Sequence, residues 1–441
     1  MEKLEKRWQI CLYGCTGLGI NMLNLIVGSY LCSALLVGGF DLHAEEWTYL
    51  NKDLVIAGLW SVFVLIAKVL DGVIDIPVSS VLDKIRSKWG RRRPGILAGF
   101  VPMIFAYLLF LIPLQKEASW LNTIWFATLL CIYYVTYTAT MLTFYATFSE
   151  IVGNDRDRIV LSNVKSICDV VYFVLGYALI PAFVSMGMNI RIIALMFVPL
   201  SLTVLIPLFL IKEESTKDAT FEIQGKKYNF IETFIIAAKN SAFIKWMFVY
   251  AMMNVGLQLF LGGINEFFST TGLNMTFIMA AVFVPVPLTL LIYNNMTKKK
   301  GIVFALQVCL AVFSVGMGAM IFCEQFPTHT GKFVYAIICA LIVSFSIGSF
   351  FSVTYSIPSQ LAQEEEQKNG IPVATMYFAI QGLFGAISAG LAQGPILVLL
   401  KQNGWVKHLT LVVAVFCFAA FIMALFLPKY VKEQGKQNEE F

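Results

Sequence analysis

The chain has 441 residues, of which 58% are hydrophobic and only 13% charged, with a net charge of +5. A soluble domain carries roughly 25% charged and 45–50% apolar residues, and its surface helices keep a polar face, so the composition excludes an ordinary globular enzyme. The mean hydropathy of +0.76 and recurring apolar runs of about 18 residues or more point instead to an all-α, polytopic membrane protein.

The opening "MEKLEKR" is charged, but the apolar run behind it continues for about 30 residues, well past a signal-peptide core. It reads as a retained first helix. Hydropathy predicts twelve spanning helices: Trp8–Gly39, Lys52–Leu82, Gly95–Leu114, Leu121–Glu150, Arg158–Met186, Arg191–Ile211, Lys239–Thr270, Met275–Met296, Gly301–Cys323, Lys332–Ala362, Pro372–Leu400 and Val406–Leu427. The longest polar stretch separates the sixth from the seventh. Residues 1–211 therefore form an N-terminal six-helix bundle, 212–238 a cytoplasmic connector, 239–428 a second bundle and 429–441 a cytoplasmic tail. Two such halves suggest repeats about an axis along the membrane normal, with a solute site near the midplane. Lysine and arginine concentrate at both termini and in the even-numbered connections, which places these in the cytoplasm of a cell-membrane protein. The positive charge reflects topology, and no nucleic-acid partner is implied.

Catalytic signals are missing. The nine cysteines lie mostly in apolar runs and form no metal spacing. His43, His329 and His408 are scattered, and no nucleophile elbow, zinc helix or phosphate loop occurs. The chain is read as a monomeric non-enzyme without metal or organic cofactor.

Helix two carries the exception to the apolar pattern, "KVLDGVIDIP" from Lys68 to Pro77. On a helix, Lys68, Asp71 and Asp75 fall within an arc of about 60°. A charge at the bilayer centre costs about 2.5–3.5 kcal/mol on insertion scales. The lysine can neutralise one aspartate, and the other remains able to bind a monovalent cation, H⁺ or Na⁺. A purely structural bridge would need one acid, and here there are two. Asp83 then ends the helix, and six basic residues follow between positions 84 and 93.

The stretch "KVLDGVIDIPVSSVLDKIRSKWGRRRP" resembles the signature of the glycoside–pentoside–hexuronide:cation symporters, the melibiose-carrier family of the major facilitator superfamily. Weaker matches follow: "YG" at Tyr13–Gly14, "TYT" at Thr136–Thr138, "DRIVLSNVK" from Asp157 to Lys165, and "QEEEQKNG" before helix eleven. The resemblance implies the major facilitator fold, with Asp71 and Asp75 binding the coupling cation and Thr138 adding an oxygen. It implies a basic partner at Lys68 and a cavity-facing cation at Lys165.

The departures are informative. Where the melibiose carriers have sugar-gripping aspartates in helices one and four, this chain has Asn21 and Met141; where they have a helix-eleven lysine, it has Gln381; where they have an asparagine before the second acid, it has Ile74. The aromatic platform survives as Tyr145. A carboxylate can bond two donors at once, so loss of both acids argues against a typical galactoside. Met141 with Tyr133, Tyr134, Tyr137 and Tyr145 suggests a less polar ligand, and methionine adapts to irregular apolar shapes; the alternative for the tyrosines is helix packing. Lys165 and Asp169 are spaced i,i+4, which permits either a self-neutralising bridge or a cavity charge. Asn254 and Gln258 in helix seven either line a path or bond neighbouring helices. In helix eleven, Gly382, Ala386, Gly390 and Gly394 make a small-residue stripe that admits a close backbone. Asp83 with Arg91, Arg92 and Arg93 is read as a cytoplasmic gate.

The functional expectation is a cation-coupled symporter that imports a small organic solute by alternating access: a sugar, glycoside or glucuronide. The alternatives are a carrier of an amphipathic solute (steroid-like, lysolipid or glycosylated lipophile) and a transporter-like sensor. Ile74 removes a possible oxygen ligand, and sodium prefers several hard oxygens, so the proton is the favoured coupling ion.

Overall fold

The computed structural model describes residues 3, 4, 6–36, 52–83, 85–90, 92–148, 151, 155–213, 215, 230–369, 374–428 and 431. Among them every regular element is helical, and twelve helices are long and apolar enough to cross a membrane. In chain order these spans are Arg7–Leu31, Ala57–Ile74, Arg92–Phe110, Trp120–Phe144, Ile167–Ser185, Ile190–Leu210, Ser241–Ile264, Met275–Lys300, Ile302–Gln325, His329–Pro358, Met376–Gln402 and Val406–Ala424. They are called helices one to twelve below. The chain divides into two compact units, Met1–Ile223 and Gln224–Phe441.

Boundaries differ from expectation where local chemistry is strong. Helix two starts at Ala57 and continues past its span to Asp83. Helix ten runs to Asn369, so most of "QEEEQKNG" is helical rather than loop. Glu, Gln and Lys are good helix formers, and no breaker intervenes before Gly370. A short helix, Phe230–Lys239, stands where a polar connector was expected.

Several spans change pitch without ending. Helix six passes through a 3₁₀ stretch, Val198–Leu205, that starts beside Pro199, and helix eleven through a π turn, Ala392–Ile396, that contains Pro395. Proline removes a backbone N–H and crowds the preceding turn. In lipid the freed carbonyls must be satisfied internally, and 3₁₀ or π adjustments accomplish that. Two further π turns, Val27–Leu31 in helix one and Leu175–Leu179 in helix five, brace each other. The Tyr30 hydroxyl donates to the Gly176 carbonyl at 2.6 Å, and the Ser29 and Tyr177 hydroxyls bond at 2.8 Å.

Close helix contacts in the first unit are made at glycine. A Cβ at Gly19 would lie 1.8 Å from the Leu200 carbonyl oxygen, and one at Gly99 would lie 2.3 Å from Thr140 Oγ1. Helix one thereby packs on helix six, and helix three on helix four. Helix four also packs on helix two, which is what brings Lys68 and Asp71 onto a neighbour.

The second unit is held by a polar ladder between helices seven and eleven. Asn240, capping helix seven, donates to Tyr377 Oη at 2.9 Å and to Glu365 of helix ten at 2.8 Å. The Trp246 indole donates to Gln381 Oε1 at 2.8 Å. Asn254 donates to the Gly385 carbonyl at 2.8 Å, and Gln393 to Gln258 at 3.0 Å. The last rung is ionic: Lys401 Nζ lies 2.9 Å from Glu266 Oε1, with both side chains at most 2% exposed. The partners advance together along the two helices, as parallel neighbours require.

Two outcomes test this packing. Gly19→Ala should lower the thermal unfolding midpoint of the purified protein, since overpacking costs about 1–3 kcal/mol. Gly58→Ala, whose Cβ would meet nothing within 4 Å, should leave it in place. Glu266→Gln or Lys401→Met alone should destabilise the fold by about 3–5 kcal/mol, because each strands a buried charge. The double neutral variant should recover most of that loss in the same melt.

Candidate functional site

Lys68 and Asp71 stand one turn apart on helix two and face helix four. The Thr138 hydroxyl donates to Asp71 Oδ1 at 2.8 Å. The Lys68 ammonium lies over the Tyr134 ring, 4.1 Å from its centroid. Among the described residues, no ion pair within 4.0 Å joins Lys68 to Asp71. Tyr134 and Thr138 are themselves spaced i,i+4, so one face of helix four offers a π surface to the cation and a hydroxyl to the anion.

An aromatic cluster backs this face. The Tyr133 ring stacks on Tyr137 at 6.2 Å, meets Tyr134 edge-on at 5.8 Å and tilts against Tyr107 at 6.2 Å. The Tyr133 hydroxyl is buried and has no hydrogen-bond partner among the described residues. Packing therefore accounts for Tyr133, while Tyr134 also carries the Lys68 ammonium on its ring and Tyr137 reaches further. Its hydroxyl donates to Asn21 Oδ1 of helix one at 3.0 Å.

Asn21, Tyr137 and Met141 come together at this helix one–helix four contact. A Cβ at Gly17 would lie 3.5 Å from Asn21 Nδ2 and 3.8 Å from both Met141 Cε and Phe144. Gly17 and Met141 are buried there, while Asn21 and Tyr137 are half-buried. The contact combines an amide, a phenol and a thioether, with no carboxylate among these residues.

Helix five contributes the pair expected from its spacing. Lys165 Nζ lies 2.5 Å from Asp169 Oδ2, and the two side chains are 27% and 31% exposed. The bridge is therefore formed, yet both groups remain reachable. On the same helix Cys168 Sγ approaches Cys15 Sγ of helix one at 3.5 Å, next to the contact of Gly14 with Val164.

Asn254, Gln258 and Gln381 lie in the ladder of the second unit. Gln381 is 4% exposed, accepts from Trp246, and donates to the Thr354 carbonyl at 2.7 Å. Asn254 and Gln258 both bond helix eleven or its π turn. Glu266 and Lys401 were not singled out from sequence. A single acid in an apolar run has no local partner to flag it, and its lysine follows 135 positions later. Of the stripe in helix eleven, a Cβ at Gly382 would meet nothing within 4 Å, whereas Gly385 is the glycine pressed by Tyr250.

The basic run after helix two folds onto the end of helix six. The Arg92 backbone N–H donates to Glu213 Oε2 at 2.8 Å, and Arg93 Nη2 donates to the Ile211 carbonyl. Gly90 makes the turn at φ +80°, where a Cβ would collide with Glu213. Arg91 and the side chains of Asp75, Asp83 and Tyr145 lie outside the described residues.

Comparison with known proteins agrees with this architecture. A family model described as MFS/sugar transport protein matches residues 12–428. A mutant form of the nucleoside transporter NupG superposes with a TM-score of 0.65 at 13% identity, covering 96% of this chain and 100% of its own. A POT family transporter in complex with a thioalcohol-conjugated peptide gives 0.61 at 10% identity over 94% of each chain. A bacterial homologue of the human lysosomal transporter Spinster gives 0.57 at 11% identity over 98% of each. At such identities the likeness is one of fold. No curated protein sequence matches the chain. The family match over nearly the whole length, joined to the twelve spans and the helix-two signature, identifies the chain as a member of the MFS/sugar transport protein family, multi-pass secondary transporters of small solutes in the major facilitator superfamily.

Proposed function

We propose that the protein is a cation-coupled symporter of the cell membrane, importing a small organic solute by alternating access with one cation per cycle. The observation that carries this reading is the Asp71 carboxylate. It sits inside a spanning helix, is oriented by Thr138, and has no ion pair with Lys68 among the described residues. An intramembrane acid is costly and marks an ion pathway by default. Asp75 completes the proposed site by the family signature. Both termini are assigned to the cytoplasm from the distribution of lysine and arginine.

The solute is proposed to be a sugar, glycoside or glucuronide other than a typical galactoside. Asn21 and Tyr137 can bond hydroxyls singly, but two bidentate carboxylates are replaced by Asn21 and Met141. Met141, standing where the melibiose carriers have an aspartate, supports a second reading in which the cargo is amphipathic. A thermal-shift screen of sugars, glucuronides, nucleosides and steroids on purified protein selects between them.

With the solute so found, Asp71→Asn and Asp75→Asn should each abolish accumulation against a gradient in proteoliposomes. Both variants should stay folded, because asparagine keeps the shape and removes the charge. Accumulation equal to wild type in both would sink the coupling assignment. Wild-type counterflow separates a carrier from a sensor that binds without moving its ligand. The coupling ion is proposed to be the proton: a proton needs one carboxylate, whereas sodium prefers several hard oxygens, and Ile74 supplies none. Uptake at fixed pH should persist without sodium and collapse with a protonophore. Strict sodium dependence that survives the protonophore would reassign the site to sodium.

A further inference from the structure

We propose that the Tyr134 ring is a holding position for the Lys68 ammonium, making Tyr134 a positioning residue that keeps an internal competitor away from the coupling-cation carboxylate Asp71. The inference rests on the reading of Asp71 as that carboxylate. It starts from a juxtaposition that the sequence does not reveal. Lys68 and Asp71 lie three residues apart on one helix face, close enough to pair. Instead, Lys68 Nζ stands 4.1 Å from the centroid of Tyr134, well within the range of about 6 Å over which a ring face attracts an ammonium. Asp71 is engaged by Thr138 at 2.8 Å. Helix four therefore holds the two helix-two charges apart with two residues one turn from each other.

The ring is built to stay in place. Tyr134 is 1% exposed, and the Tyr133 ring meets it edge-on at 5.8 Å and 70°. Tyr133 is in turn fixed by its contacts with Tyr107 and Tyr137. The lysine stem, in contrast, is flexible and only half-buried.

The physical consequence concerns competition. In a medium of low dielectric a lysine in contact with a carboxylate binds it strongly, and a monovalent cation would have to displace it. Parking the ammonium on a neutral π surface compensates its charge without neutralising Asp71. Tyr134 thus sets the balance between the internal cation and the external one.

The test reads cation affinity without needing the solute. The thermal unfolding midpoint of the purified full chain is followed against sodium chloride at fixed pH, and against pH without sodium, since a ligand of the folded state raises it by mass action. Tyr134→Phe keeps the ring face and should keep the wild-type half-saturation. Tyr134→Leu should weaken the apparent cation affinity about fivefold, the equivalent of one modest cation–π contact. Adding Lys68→Gln to Tyr134→Leu should restore it, because the competitor is gone. If Tyr134→Leu does not fold, Tyr134→Met makes the same comparison. An affinity unmoved by loss of the ring, an equal loss in Tyr134→Phe, or no rescue by Lys68→Gln overturns the inference while leaving the Asp71 assignment intact. A midpoint response that persists in Asp71→Asn, or is missing from the wild type, overturns the Asp71 assignment and this inference with it.

Discussion

A formal charge inside a hydrocarbon layer must be compensated where it stands, and this constraint orders most of the polar structure described here. Each unit meets it differently. In the second, Glu266 and Lys401 are sealed together at 2.9 Å and at most 2% exposed. A pair so buried is tied to the fold, because removing either partner strands the other. In the first, Lys165 and Asp169 are paired but about a third exposed, and Lys68 and Asp71 each find a neutral partner on helix four. Compensation by a ring and a hydroxyl costs less to undo than a sealed ion pair. The first unit therefore holds the charges whose compensation costs less to undo.

The same accounting applies to the backbone. Prolines and pitch changes interrupt several spans, and every interruption frees groups that lipid cannot satisfy. The facing π turns of helices one and five show one solution. A carbonyl released at Gly176 is taken by the Tyr30 hydroxyl, and the neighbouring hydroxyls of Ser29 and Tyr177 satisfy each other. Such turns are over-represented at functional sites. Here they brace helix one, which also carries Asn21 to its bond with Tyr137. A local defect in one helix is thus converted into a tie between two, on the helix that contributes to the candidate solute surface.

Polar residues that look alike in sequence have separate uses. Asn21, Asn254, Gln258 and Gln381 are all amides in apolar spans. The last three are rungs between helices seven, ten and eleven, and Gln381 uses both ends of its amide within the unit. Asn21 shares its oxygen with one phenol, and its nitrogen faces the gap left at Gly17. Among the described contacts Asn21, Asn254 and Gln258 each make one side-chain hydrogen bond, and what separates Asn21 is its partner, a phenol of helix four.

The sequence by itself determined the twelve spans and the charged stripe of helix two. These are local properties: hydropathy is summed over a window, and the azimuths of Lys68, Asp71 and Asp75 follow from 3.6 residues per turn. It also offered Lys165 with Asp169, since an i,i+4 pair needs only its own helix. Thr138 came from the family signature, and the structure seats it on Asp71. Tertiary structure decided the rest. That Lys68 meets a tyrosine, that Asn21 meets Tyr137 across 116 positions, and that Glu266 finds Lys401 all depend on which faces of two helices touch. Those faces are set by glycine contacts such as Gly19 on Leu200 and by the pitch changes at proline, and no window along the chain contains both sides of such a contact.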